Sequence, residues 1–163
     1  MGIRNKSQFS FISENKDIYA SAIKVEDLVF NDPRSCCFYA RRTTELLVDW
    51  IYEHDNTLRR PYESSLSNLI HAFDFKELVG EKLLGKFKLL KDLGNKAVHR
   101  NDPITQGNAV LAASELFQIL RWFALTYGRN PQALKGIKFD KNLLPKGNEV
   151  SEVINSLNEA KLK

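Results

Sequence analysis

The chain has 163 residues, of which 43% are hydrophobic and 27% are charged. This composition supports one compact core and is too apolar for a disordered chain. No segment contains the roughly 18 to 20 uninterrupted apolar residues of a membrane span, and residues 1–13 lack the apolar stretch of a secretory signal. The two cysteines, Cys36 and Cys37, are adjacent and cannot form a framework disulfide. We therefore expect a cytoplasmic protein.

Apolar residues recur at every third or fourth position along most of the chain, which is the spacing of a buried helix face. This pattern predicts helices over residues 17–30, 33–53, 66–73, 76–99 and 105–128. Asp32 and Pro33 are residue types that begin a helix, and Thr105 is a suitable cap for the last one. No run alternates apolar and polar residues over the length of a strand. The sequence therefore predicts an all-α bundle of about four to five main helices.

The formal net charge of +4 is concentrated after Gly128. Residues 129–147 contain five basic residues against the single acidic Asp140, and they also contain two prolines. We expect a bundle domain over residues 1–128, a basic linker over 129–147 and the start of a helical connector over 148–163. A basic strip can bind nucleic acid, and a soluble linker is the alternative. The candidate nucleic-acid contacts are Lys135, Lys138, Lys141 and Lys146.

Motifs for nucleotide and metal binding are incomplete in this sequence. Residues 80–87 match a phosphate-binding loop except at the last position, where Phe87 replaces the Ser or Thr that binds magnesium. Such a loop also follows a buried strand, whereas these residues fit an amphipathic helix. His54, His71 and His99 are far apart and have no ligand partners nearby, so no metal site is predicted. The two cysteines are expected to pack in the core.

Two pairs of polar residues have a spacing that places them on one helix face. Arg41 and Glu45 are four residues apart, and they form either a surface ion pair or a partly buried network. Asn95 and His99 have the same spacing, so their side chains could converge on a ligand, although a histidine near a helix C-terminus is also favourable in itself. Gly94 lies on the predicted buried stripe and indicates that two helices approach closely there.

Four segments of the sequence resemble the N-terminal domain of the R subunit of type I restriction enzymes. They are NKSQFSFI, NDPRSCCFYARRTTELL, LGNKAVHR and ELFQILRWFALTYG, in this order within about residues 5–128. That domain is similar to the HEPN-like helical superfamily, whose active members are ribonucleases with an Arg-Asn-x-x-x-His motif. Asn95 and His99 match this motif, but Gly94 stands at the arginine position. The R-subunit branch tends to have glycine there, which implies that the domain does not cut RNA.

The resemblance implies a parent protein that acts as an ATP-dependent DNA translocase and endonuclease in phage defence. ATP and magnesium would bind to later domains of that parent, and no cofactor is expected in this chain. The expected role is a non-catalytic interaction and assembly domain, with Arg41, Glu45, Asn95 and His99 as its polar centre. Its partners would be other subunits or domains of a restriction-modification complex, and DNA would be bound through the parent protein. No membrane contact is expected, and a homodimer is possible.

Two alternative functions remain at this point. The first is a HEPN-type ribonuclease in which His99 acts as acid or base, Asn95 assists it, and Arg41 or Arg100 replaces the missing cation. The second is an accessory domain that binds nucleic acid through residues 129–147. The glycine at position 94 argues against the ribonuclease, because phosphodiester cleavage requires a cation that faces the developing charge.

Overall fold

The computed structural model describes residues 6–146, and their regular structure is entirely helical. The five α-helices are α1 (Lys16–Asn31), α2 (Pro33–His54), α3 (Leu66–His71), α4 (Phe73–Val98) and α5 (Gln106–Tyr127). Three short 3₁₀ turns cover Ser10–Ile12, Pro131–Leu134 and Lys141–Leu143. No strand occurs within residues 6–146, and the prediction of an all-α helical bundle is confirmed.

Side-chain caps fix the starts of α2 and α5. The Asp32 carboxylate accepts a hydrogen bond from the Ser35 backbone N–H at 3.1 Å, and Pro33 occupies the first turn of α2. Thr105 and Asn108 form a reciprocal capping box at the start of α5, with two hydrogen bonds of 3.0 Å. These caps explain why the predicted starts of both helices lie within one residue of the observed ones.

Helix α4 differs most from its predicted extent. It begins at Phe73 rather than at residue 76, and it bends at Gly80, whose φ of 79° lies in the left-handed region that favours glycine. The segment that resembles a phosphate-binding loop lies within this helix and does not follow a strand. The bend separates a short first part of α4 from the long second part that carries Gly94 and Asn95.

Helix α2 occupies the centre of the bundle, where it packs against α1, α4 and α5. The largest fully buried side chains include Phe9, Phe75, Phe87 and Phe117, and each such residue contributes roughly 1.5–3 kcal/mol by leaving water. By length and composition alone, helix α5 could cross a membrane, but a helix in the core of a folded domain meets the same criterion. Its buried side chains pack inside the bundle against α1, α2 and α4.

Residues 129–146 fold back onto the bundle, and we call this segment the strap. Leu134 and Leu144 are buried, and the Phe139 ring lies 5.7 Å from the ring of Phe117 in α5. Gln8 and Asp140 exchange two hydrogen bonds of 2.7 and 2.9 Å. This packing revises the expectation of a linker, because the strap contributes side chains to the core. The predicted connector over residues 148–163 lies outside the described residues.

Candidate functional site

The crossing of α2 and α4 depends on the absence of a side chain at Gly94. Gly94 is buried, and a Cβ atom built on it would lie only 2.8 Å from Arg41 Cγ and closer still to Arg41 Cβ. The aliphatic part of the Arg41 side chain therefore covers the space that any other residue at position 94 would fill. The sequence prediction that two helices meet closely at Gly94 agrees with this geometry.

Arg41 joins α2 to α4 through its guanidinium group. One terminal nitrogen, Nη1, donates a hydrogen bond to Asn95 Oδ1. The Nε atom lies 3.1 Å from Glu45 Oε1, although the alignment does not amount to a hydrogen bond. The Arg41 and Glu45 side chains are 28% and 35% exposed, so water screens the ion pair and limits its contribution to stability. Arg41, Glu45 and Asn95 thus form one partly exposed polar cluster, which we call the Arg41 cluster.

His99 lies outside this polar cluster. Helix α4 ends at Val98, and His99 takes extended backbone angles (φ −96°, ψ 109°) and is exposed. Within residues 6–146 its imidazole makes no hydrogen bond or ion pair, with Asn95 or any other group. Of the four residues predicted to form the polar centre, the structure brings three together and leaves the His99 side chain apart.

Arg34 is a residue at this site that the sequence analysis missed. Its guanidinium donates hydrogen bonds to the carbonyl oxygens of Lys96 (3.2 Å), Ala97 (2.9 Å) and His99 (2.9 Å), and also to that of Asp102. A planar guanidinium has five N–H donors, and a positive charge is favourable at a helix C-terminus. Arg34 therefore holds the end of α4 and the turn that follows it against the start of α2.

A weak signal for this role was present in the sequence. Arg34 has no carboxylate three or four residues away in its own helix, so no local ion pair would hold its side chain. It also lies immediately after the Asp32–Pro33 start signal, at the end of α2 that meets the end of α4. An arginine without a local partner at a helix start can satisfy carbonyls of a neighbouring helix.

Comparison with known proteins gives one match. The model of the family named "Domain of unknown function (DUF4145)" matches residues 24–152, which is most of the chain. The protein belongs to the DUF4145 family. No curated protein and no solved structure matches the chain. The matched region of this DUF4145 protein includes α2 to α5, so it contains both the Arg41 cluster and Arg34.

Potential metal ligands in the DUF4145 protein are dispersed. Residues 6–146 contain no group of three His, Cys, Asp or Glu side chains that could hold an ion. His54 stacks on the Trp50 ring at 4.1 Å, and His71 Nδ1 lies 2.7 Å from the Ser67 carbonyl oxygen. Both histidines therefore have local packing or hydrogen-bonding roles.

Both cysteines lie inside the bundle, where burial makes the thiolate form unfavourable. Burial raises the pKa of Cys37 to about 11, and it raises the pKa of Cys36 further. Cys36 Sγ donates a hydrogen bond to the Val25 carbonyl oxygen at 3.3 Å. The two thiols stay protonated at neutral pH and act as small apolar side chains.

The four candidate nucleic-acid contacts lie on the strap and are exposed to solvent. They are Lys135, Lys138, Lys141 and Lys146. Because the strap is anchored to the bundle by buried leucines, these lysines extend from a folded surface.

Proposed function

We propose that this DUF4145 domain is a non-catalytic interaction and assembly domain, similar in role to the N-terminal domain of a type I restriction R subunit. One observation supports the proposal: the cation beside Asn95 is Arg41, and its guanidinium is already engaged by other side chains of the domain. Arg41 contacts both Asn95 and Glu45, and its side chain covers Gly94. A nuclease centre needs a cation that is free to face a phosphate.

The position of His99 also favours an interaction role. A general acid or base works best when a second group fixes the orientation of its ring. The His99 imidazole has no such partner within residues 6–146, and it does not meet Asn95. The ribonuclease alternative would therefore require Arg100 or another exposed cation, and a rearranged end of α4.

The proposed setting comes from the sequence resemblance. The partners would be other subunits or domains of a restriction-modification complex in the cytoplasm, and DNA would be bound by the parent assembly. The chemistry of DNA translocation and cleavage, with its ATP and magnesium, would belong to other domains of that parent. The Arg41 cluster would stabilise the α2–α4 surface that the partner recognises.

Ribonuclease activity is the first test of this proposal. The purified chain and the His99→Ala variant would be incubated with labelled single-stranded RNA, with and without magnesium. We expect no cleavage above the buffer control for either protein. RNA cleavage by the wild-type chain that disappears in His99→Ala would show that the domain is an enzyme and would refute the proposal.

Assembly is the second test. The chain would be co-expressed with the products of neighbouring restriction-modification genes, and co-elution would be measured by size-exclusion chromatography. We expect a complex whose affinity falls about fivefold or more in Asn95→Ala. Asn56→Ala, which alters an exposed asparagine between α2 and α3, is the matched control and should have no effect. Absence of any complex would contradict the proposed role.

A further inference from the structure

A groove between the bundle and the strap lies away from the Arg41 cluster. It has a volume of about 540 Å³, and it is lined by Phe30 at the end of α1, Val110 and Leu111 of α5, and Lys141 and Lys146 of the strap. Leu111 is 40% exposed, so its side chain is accessible to a ligand in the groove. The groove therefore combines a mostly apolar floor with two cations at its rim.

The strap holds this rim in place. Leu134 and Leu144 are buried on either side of the Lys141–Leu143 turn. Asp140 accepts a hydrogen bond from the Asn142 backbone N–H at 2.9 Å, and its own backbone bonds to Gln8. A ligand that binds in the groove would thus meet a preorganised surface, which lowers the entropy cost of association.

Within residues 6–146, no carboxylate balances the charges of Lys141 and Lys146 at the groove. No carboxylate lines the groove, and neither Lys141 nor Lys146 forms an ion pair with any residue in the described range 6–146. Uncompensated cations beside exposed apolar surface favour a partner with acidic and apolar groups. Lys138 adds a further exposed cation on the same segment.

We propose that this groove binds an acidic amphipathic segment of a partner protein. An apolar side chain of that segment would pack between Phe30 and Leu111, and flanking carboxylates would pair with Lys141 and Lys146. Phe30 is the one aromatic side chain among the described residues that line the groove, whereas single-stranded nucleic acid is usually bound by a series of stacked aromatic rings, so this lining favours a protein. The inference rests on the proposed interaction role and adds a docking surface and a class of partner to it.

Fluorescence anisotropy with the full chain tests the proposal. The probes are a labelled helical peptide with leucines on one face flanked by glutamates, the same peptide with glutamines in place of glutamates, and single-stranded RNA and DNA. We expect the acidic peptide to bind, with affinity that falls at high salt. Leu111→Glu and the double change Lys141→Gln with Lys146→Gln should each weaken binding about tenfold or more.

Leu125→Glu is the matched control, because Leu125 is 38% exposed and lies on the same helix roughly 21 Å from Leu111. Circular dichroism would confirm that every variant is folded. The proposal is wrong if no peptide binds, if the glutamine peptide binds as well as the acidic one, or if Leu125→Glu has the same effect as Leu111→Glu. Binding of RNA or DNA that is lost in Leu111→Glu would assign the groove to nucleic acid instead.

The two proposals can fail separately. A complex with restriction-modification subunits that is insensitive to Leu111→Glu would leave the interaction role intact and refute the groove as its docking surface. Peptide binding in the groove without any such complex would support the surface and refute the proposed setting.

Discussion

The same substitution at two glycines of α4 gives the sharpest test of the α2–α4 crossing. Gly85 and Gly94 lie nine residues apart in the long part of the helix, and their surroundings differ completely. A Cβ atom at Gly85 would meet nothing within 4 Å, whereas one at Gly94 would overlap the side chain of Arg41. Gly85→Ala and Gly94→Ala therefore have similar effects on helix propensity, but only Gly94→Ala disturbs the packing of α4 against α2.

The expected magnitudes follow from these two effects. Replacing glycine by alanine within a helix stabilises it by roughly 0.5–1 kcal/mol, so Gly85→Ala should raise the free energy of unfolding by that amount. At Gly94 the gain is opposed by overpacking, which typically costs about 1–3 kcal/mol. The atoms that would be displaced include Arg41 Cβ, which is fixed to the α2 backbone, so the two helices must separate. Gly94→Leu should be more destabilising still.

Thermal unfolding followed by circular dichroism measures the difference. For a chain of this size, 1 kcal/mol corresponds to a shift of roughly 2–4 °C in the melting temperature. We expect Gly94→Ala to melt below Gly85→Ala by several degrees. Equal upward shifts of both variants would refute the close approach of α2 and α4 at Gly94. As a further check, Arg41→Gly removes the overlapping atoms and should reduce the cost of Gly94→Ala.

Three further measurements test other parts of the structure. Arg34→Lys should lower the free energy of unfolding by about 1–3 kcal/mol, because a compact ammonium with three donors cannot reproduce the planar, two-nitrogen contact with four carbonyls. An unchanged denaturant midpoint would contradict this role. Hydrogen bonds from Thr57 and Tyr127 lower the pKa of Asp55 below its usual value of 3.8. These bonds should therefore stabilise the folded protein fully above pH 3.8, and this contribution should be lost as the pH falls through the lowered pKa. Tyr127→Phe should therefore cost about 1 kcal/mol at pH 7 and less in acid, as measured by urea unfolding across pH. Cys37 should resist alkylation by iodoacetamide in the native protein at pH 8, because its pKa is raised to about 11 by burial, and fast labelling would show that α2 opens.

The helices could be predicted closely where their ends are encoded locally. Asp32 and Thr105 begin α2 and α5 through hydrogen bonds to backbone groups three residues away, so a short stretch of sequence contains the whole signal. The start of α4 is different, because Ala72 precedes it and provides no side-chain cap. The bend at Gly80 also shifts the apolar stripe, so the first part of the helix does not continue the pattern of the second.

The amino-acid composition of the strap explains why the sequence analysis predicted a linker there. Prolines, lysines and the absence of a regular apolar period are typical of a connection. Here, however, Leu134, Phe139 and Leu144 pack on the bundle along a path of short turns, at a spacing of five residues that fits neither a helix nor a strand. No helix or strand period describes this path, so no periodic pattern could predict which of these residues are buried.

The side chains of Asn95 and His99 are separated because of a long-range contact, and their spacing in the sequence does not reveal that contact. A spacing of four residues places two side chains on one face only while the helix continues, and α4 ends between them at Val98. Arg34, which is 65 residues from His99 in sequence, bonds to the carbonyls around this end, and Pro103 restricts the turn that follows. Extending α4 by one turn to bring the imidazole to Asn95 would redirect those carbonyls along the helix and break the bonds to Arg34. The contact that stabilises the end of α4 is therefore the same one that keeps His99 away from the Arg41 cluster, and it favours an interaction surface over a catalytic pair.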